Sequence, residues 1–148
     1  TVPASEFLKN TKLHEEIFGP FTLLVICENE SEMKKVAESL QGQLTGTLLA
    51  TESDMTQNTE TVDALVQKVG RILFNGMPTG VEVCPAMHHG GPFPASTNGK
   101  YTSVGTDAIY RFTRSICYQN WPDQMLPTEL KAENPMGVWR KVDNELRR

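Results

Sequence analysis

Apolar residues follow two different spacings along the first half of the chain. The continuous run from Phe21 to Cys27, rich in branched side chains, is typical of a strand buried on both faces. Further strands are predicted over residues 44–51 and 71–75. Between the strands, apolar residues recur at helical spacing, first from Met33 to Leu40 and then from Val62 to Val69. The sequence therefore alternates strand, helix, strand, helix and strand.

Turn and capping residues support this alternation. Asn29 or Ser31 is the predicted N-cap of the first helix, Gly42 ends it, and Gly70 closes the second helix. Strands alternating with helices are typical of right-handed crossover units, which build a mostly parallel sheet. We therefore predict an α/β fold in which helices connect the strands of a mostly parallel sheet.

The regular pattern stops at Asn75. Residues 76–99 contain five of the eleven glycines and four of the nine prolines, which predicts a long ordered loop or a series of turns. Loops of this length inside a domain are usually functional. Because the loop follows the carboxyl end of a predicted strand, where open α/β sheets bind ligands, we expect a binding site in it.

The last third of the chain is predicted to be less regular. Thr106 caps a predicted helix, and SICYQ at 115–119 predicts a lone strand with no evident partner, so it is expected at an exposed edge or paired with another chain. A short final helix is predicted to pack back on the body of the protein. The expected organisation is a main region, a strand and a tail, at residues 1–114, 115–120 and 121–148.

Composition excludes several classes of function. The chain has 148 residues, enough for a core of its own. A net charge of -4 without a stripe of lysine and arginine argues against a nucleic-acid partner. No apolar stretch is long enough for a bilayer and no signal peptide is visible, so no membrane partner is expected. Three widely spaced cysteines suit a reducing, cytoplasmic location. Because Thr1 is not an initiating Met, we expect a processed chain or a piece of a longer one.

Reactive side chains are concentrated in the loop. Cys84 lies four residues before the pair His88-His89, a spacing that could form a thiolate dyad or supply part of a zinc site. A buried cysteine with hydrogen-bonded histidines is the structural alternative. The two imidazoles precede paired glycines and then Phe93, which is typical of a pocket wall.

A second candidate lies in HEEIFGP, before the first long apolar run. Adjacent side chains of an extended segment point to opposite faces, so only one of Glu15 and Glu16 is expected to point inward. An inward carboxylate can accept two hydrogen bonds from a ribose diol. Phe18 would project to the same side and could offer its face to a flat ring. A solvated loop end is the alternative that the pattern leaves open.

Three segments taken together resemble the C-terminal part of an aldehyde dehydrogenase: HEEIFGPF, the loop NGMPTGVEVC with HHGGPFPAS, and TSVGTDAIYRFTRSICYQNWPD. E-x-F-G-P is a specific motif of that superfamily. PTGVEVC with GGPFPAS and ICYQ resembles the NADP-linked fatty-aldehyde and 2-oxoglutarate-semialdehyde branch. Common members have a Gly-Gly pair after Pro-Phe, where this chain has Pro94 and Ala95. The likeness covers nearly the whole chain and weakens only toward its end.

The resemblance implies a three-layer α/β domain and the NADP- or NAD-dependent oxidation of an aldehyde to an acid through a cysteine thioester. The implied substrate is a long-chain fatty aldehyde, with 2-oxoglutarate semialdehyde as the alternative. Glu16 corresponds to the glutamate that holds the nicotinamide ribose, and Phe18 to the aromatic residue beside the nicotinamide. Phe93 corresponds to the aromatic residue near the aldehyde tunnel.

The resemblance also implies partners. Residues 115–120 correspond to the strand that joins the sheet of a second subunit, which implies a homodimer. In the family the nucleophilic cysteine and the glutamate base precede the E-x-F-G-P motif, and Cys27, Cys84 and Cys117 do not match the nucleophile. The implied chain is a fragment that needs the remainder of the same polypeptide and is inactive alone.

Beyond the resemblance, His88 is a candidate to activate water at the thioester stage, because imidazole exchanges protons near neutral pH. His89 is the less favoured candidate. Two other functions remain open from the sequence: a truncated interaction module that pairs through its edge strand, and a thiol hydrolase built on Cys84 and His88.

Overall fold

Two short parallel sheets form the framework of the first of two units, Thr1–Thr113, in a computed structural model that describes all 148 residues. Strands and α-helices alternate along this unit, and 3₁₀ helices cover Thr11–His14 and Thr106–Phe112. In chain order the elements are β1 (Val2–Pro3), α1 (Ala4–Phe7), β2 (Val25–Ile26), α2 (Glu30–Ser39), β3 (Gln43–Leu48), α3 (Glu52–Gln57), α4 (Thr59–Val66) and β4 (Val69–Phe74).

Strand pairing confirms the prediction of a mixed α/β chain with parallel strands. β1 pairs with β2, with Val2 opposite Val25. β3 pairs with β4 from Gln43 opposite Val69 to Leu48 opposite Phe74. These four strands form two separate two-stranded sheets, so the three-layer arrangement stays a prediction.

The first predicted helix is confirmed as α2, with Asn29 as its N-cap. The Asn29 side chain accepts a hydrogen bond from the backbone N–H of Glu32 at 3.0 Å, which satisfies a free donor of the first turn. The second predicted helix is confirmed as α4, although it ends before Gly70. The pattern missed α3, a short polar helix that begins with a capping box between Thr51 and Asp54.

The first predicted strand is much shorter than its apolar run. Only Val25 and Ile26 pair, while Phe21, Leu24 and Ile26 are about half exposed, so the prediction of a strand buried on both faces is wrong for this chain. The physical reason is the lack of neighbours, because the two-residue β1 is the only strand beside it.

The chain does not bury a core of the size its length predicts. Only Ala4, Phe7 and Ala37 are buried apolar residues, and the accessible surface is 11395 Å². A globular monomer of 16.5 kDa exposes about 7,500 Å², and two separate globules of these sizes about 9,000 Å². Much apolar surface therefore has no cover within this chain.

The second unit, Arg114–Arg148, ends in a β-hairpin. β5 (Arg140–Val142) pairs antiparallel with β6 (Glu145–Arg147), so the predicted final helix is wrong. The turn residues Asp143 and Asn144 both have positive φ, 51° and 67°, which suits a two-residue hairpin loop. The unit also has two 3₁₀ turns, at Asp123–Met125 and Thr128–Leu130.

Two further predictions concern residues 106–119. The helix predicted from Thr106 is a 3₁₀ helix that follows Gly105, whose φ is 82°. Residues 115–119 pair with no strand of this chain, so their pairing with a second chain stays a prediction. None of the helices is both long and apolar enough to span a bilayer.

Candidate functional site

The acidic pair follows directly from a capped 3₁₀ helix. The side chain of Asn10 accepts a hydrogen bond from the N–H of Lys12 at 3.3 Å, which starts the helix Thr11–His14. At its end, the N–H of Glu15 bonds the carbonyl of Lys12 at 3.4 Å. The backbone is thus held by hydrogen bonds up to the residue before Glu16.

The last residue of this helix, His14, packs against the buried Phe7. The two rings stack with centroids 4.1 Å apart and planes 9° from parallel. Nε2 of His14 also donates a hydrogen bond to the carbonyl oxygen of Phe7 at 2.9 Å. Phe7 is 4% exposed, so the histidine is anchored to one of the few buried side chains of the chain.

A tight turn at Gly19 and Pro20 follows the acids. Gly19 has a φ of 141°, a conformation that residues with a Cβ rarely adopt. The N–H of Phe21 donates to the carbonyl of Gly19 at 2.8 Å, which closes a three-residue turn centred on Pro20. Phe18, just before this turn, is 91% exposed.

A cavity of about 930 Å³ lies beside the acids. Glu15 and Glu16 both line it and both are exposed. That only one of the two carboxylates points inward stays a prediction. The remaining wall contains His14, Thr11, residues 41–45 at the start of β3, Pro94 and Ala95.

The glycine-rich loop returns to the amino ends of the strands, whereas the sequence predicts a site at their carboxyl ends. Gly70, in β4, lies against the carbonyl of Gly90, and Gly42, before β3, lies against the carbonyl of Pro92. A Cβ on Gly91 would lie 2.5 Å from the carbonyl oxygen of Gln43. Backbone therefore packs on backbone, which only glycine permits.

The structure brings only part of the predicted site together. Pro94, at the end of the loop, lines the same cavity as Glu16. Phe18, Phe93 and His88 do not line it, and Phe93 is 79% exposed. The roles that the resemblance implies for these residues stay proposals.

The two histidines of the loop differ in how they are held. The N–H of His89 donates to Oγ1 of Thr102 at 2.9 Å, and its carbonyl accepts from the N–H of Ser103 at 2.8 Å. Nδ1 of His89 is buried without a partner. His88 is half-buried, and its Nε2 lies 2.8 Å from where a Cβ on Gly90 would stand. Hydrogen bonds thus fix the backbone of His89, whereas the ring of His88 lies close to Gly90.

Sequence reasoning missed two residues that organise these segments, His14 and Thr102. Thr102 is 6% exposed and holds the loop through the N–H of His89. His14 was visible only as part of HEEIFGP, because its stacking partner lies seven residues earlier. No spacing rule connects these pairs.

The three cysteines are free thiols in different surroundings. Burial, and then the carboxylate of Glu32, raise the pKa of the half-buried Cys27 thiol. A raised pKa lowers the thiolate fraction, which disfavours Cys27 as a nucleophile. Cys84 is half-buried and Cys117 is exposed.

No three histidine, cysteine or acidic side chains form a cluster suited to a metal ion.

Comparison with known proteins finds curated dehydrogenases that are similar to this chain. No protein-family model matches it. It is 49% identical, over 93% of its length, to the alpha-ketoglutaric semialdehyde dehydrogenase of Acinetobacter baylyi. It is 46% identical, over 97% of its length, to alpha-ketoglutaric semialdehyde dehydrogenase 2 of Azospirillum brasilense. The chain spans about a quarter of these curated relatives, 26% and 27%. It is therefore homologous to one segment of aldehyde dehydrogenases, as the E-x-F-G-P motif predicts.

Proposed function

We propose that this chain is part of a cytoplasmic NADP- or NAD-dependent dehydrogenase that oxidises alpha-ketoglutaric semialdehyde to the corresponding acid. The observation that carries the proposal is the 46–49% identity to two dehydrogenases of that name across nearly the whole chain. A long-chain fatty aldehyde, the main substrate predicted from the sequence, has no support from these relatives. The semialdehyde is therefore the better candidate.

Glu16 is proposed to hold the nicotinamide ribose. The cavity beside it, about 930 Å³, lies within the range of small-molecule sites. A carboxylate is an acceptor with two oxygens and can take one hydrogen bond from each hydroxyl of a ribose diol. A bound nicotinamide would supply a hydride acceptor, and the task of this chain would be to hold and orient its ribose through Glu16.

Phe18 and Phe93 are proposed to supply aromatic surface to the cofactor and the aldehyde, respectively. Their side chains are 91% and 79% exposed. Covering a phenylalanine contributes about 1.5–3 kcal/mol, so both rings favour contact with a flat ligand or with further polypeptide. The turn at Gly19 and Pro20 fixes the backbone beside Phe18.

The remainder of the same polypeptide and a second subunit are proposed to cover the exposed apolar surface. The accessible surface of 11395 Å² exceeds that of an independent globule by some thousands of Å². An area of this size is typical of obligate interfaces. The nucleophilic cysteine and the general base would lie in that remainder, and residues 115–120 would join the partner's sheet.

His88 is proposed to activate the water that hydrolyses the thioester. The supporting observation is its position in the loop fixed on β3 and β4 by Gly42 and Gly70. His88→Gln in the full-length enzyme should slow deacylation and alter its pH dependence. His89→Gln, at the less favoured candidate, is the matched control and should leave both unchanged. Unchanged deacylation in His88→Gln would exclude this role.

Substrate preference tests the proposed activity. The full-length protein that contains this chain is assayed with alpha-ketoglutaric semialdehyde, with a long-chain fatty aldehyde, and with a semialdehyde that lacks the 2-oxo group. A site that bonds the polar groups of its substrate discriminates strongly, so kcat/KM should favour the first substrate by about a hundredfold or more. Equal values, or a preference for the fatty aldehyde, would contradict the proposal.

A further inference from the structure

We propose that His14 is a positioning residue, which holds Glu16 at the cavity through the contact between His14 and Phe7. This inference rests on the proposed function, in which Glu16 binds the nicotinamide ribose. The juxtaposition that carries it is a histidine stacked on a buried ring, two residues before an exposed functional carboxylate.

Two independent contacts fix the His14 ring. The stack on Phe7, with planes 9° from parallel, sets the tilt of the imidazole. The hydrogen bond from Nε2 to the carbonyl of Phe7, at 2.9 Å, sets its rotation within that plane. Since Phe7 is 4% exposed, the anchor itself is held by packing.

Glu16 has no comparable packing of its own. It is exposed, as are the residues that follow it to the turn at Gly19. Its position is therefore set by the chain that leads to it. Only Glu15 separates Glu16 from His14, and the Glu15 N–H donates a hydrogen bond to the carbonyl oxygen of Lys12.

The location of His14 supports the same conclusion. His14 lines the cavity together with Glu16, so the anchor and the functional carboxylate share one wall. A shift of the histidine would change the direction in which the chain leaves the 3₁₀ helix. Small displacements of a positioning group can lower a rate by about a hundredfold.

A double-mutant cycle in the full-length protein tests the proposal. His14→Ala, Glu16→Gln and the double variant are compared for the rate of hydride transfer in a single turnover. We expect His14→Ala to lower this rate about tenfold with little change in KM for the aldehyde, which is the signature of lost positioning. The double variant should be no slower than Glu16→Gln, because the histidine acts only through that carboxylate.

The control is Lys12→Ala on the same 3₁₀ helix, which should leave the rate unchanged. If His14→Ala does not fold, His14→Phe replaces it, since that variant keeps the stack and loses the hydrogen bond, and a several-fold loss is expected. An unchanged rate in the His14 variant, or losses that add in the double variant, would overturn the inference.

Failure of the proposed function would look different. In that case the unaltered protein would show no NADP- or NAD-dependent oxidation of any aldehyde, and the inference would fall with it. If the unaltered protein is active and the His14 variants transfer hydride at the same rate, only the positioning role of His14 is overturned.

Discussion

The backbone of Gly70 lies directly against the carbonyl oxygen of Gly90. A Cβ at residue 70 would overlap that oxygen, so the strand and the loop can meet only where both lack side chains. This contact fixes the loop that carries His88 and Phe93 on the amino end of β4. The loop is therefore packed against the sheet as an ordered part of this unit.

Gly70→Ala should displace this loop. The added methyl group meets backbone atoms, which cannot rotate away, so we expect a loss in the free energy of unfolding of about 1–3 kcal/mol or more. Urea unfolding measures the loss, and faster hydrogen exchange at residues 88–92 would locate it. Gly80→Ala is the matched control, because no atom lies within 4 Å of its Cβ position. Equal stability of the two variants would contradict the close contact.

Asn75 should be sensitive for a different reason. Its side chain donates to the carbonyl of Ala50 at 2.8 Å and accepts from the Ala50 N–H at 2.9 Å, while its own φ is 49°. Asn75→Ala removes both bonds and keeps the unfavourable φ, so unfolding should require about 2–3 kcal/mol less. Asn75→Gly also removes both hydrogen bonds, but glycine adopts a positive φ without strain. It should therefore unfold at a higher urea concentration than Asn75→Ala. The reverse order would show that backbone conformation is unimportant here.

The capping box of α3 predicts a pH dependence. Hydrogen bonds from the N–H and hydroxyl of Thr51 lower the pKa of Asp54 below its ordinary value of about 3.9. The ionised Asp54 carboxylate therefore stabilises the folded chain fully at pH values above its ordinary pKa. This stabilisation is lost as the pH falls through the lowered pKa. NMR titration of the Asp54 carboxyl carbon should give a higher midpoint in Thr51→Ala. Thr51→Ser, which keeps the hydroxyl, should titrate like the unaltered protein.

The reactivity of Cys27 should depend on Glu32. Burial and this nearby carboxylate raise the pKa of the thiol, so less thiolate is present at neutral pH. Glu32→Gln removes the negative charge and should speed the alkylation of Cys27 a few-fold at fixed pH. Mass spectrometry of the labelled peptide measures the rate. Glu30→Gln is the control, and an equal acceleration in it would exclude a specific effect.

Local signals in the sequence were sufficient for the two longest α-helices, α2 and α4. The N-cap Asn29 and the apolar stripe from Met33 to Leu40 predict α2, because capping and amphipathic spacing act within a few residues. Strand length was less predictable. The run from Phe21 to Cys27 has the composition of a buried strand, but burial depends on neighbours that this chain does not contain.

The candidate site was predicted only in part. The turn at Gly19 follows from the local Gly-Pro pair, whereas the choice of Glu16 over Glu15 rests on the resemblance and stays a prediction. The return of the loop to the amino ends of β3 and β4 depends on contacts between distant glycines, such as Gly42 with Pro92. The stack of His14 on Phe7 likewise follows from no periodicity. Long-range contacts of this kind appear only in the folded chain.

The most direct test of the account compares Glu16→Gln with Glu15→Gln in the full-length protein. The two acids are adjacent and line one cavity, so the variants differ only in which carboxylate is lost. We predict that Glu16→Gln lowers kcat/KM for NADP or NAD by about tenfold to a hundredfold, whereas Glu15→Gln stays near the unaltered value. Equal effects of the two substitutions, or none from Glu16→Gln, would contradict the assignment of Glu16 to the nicotinamide ribose.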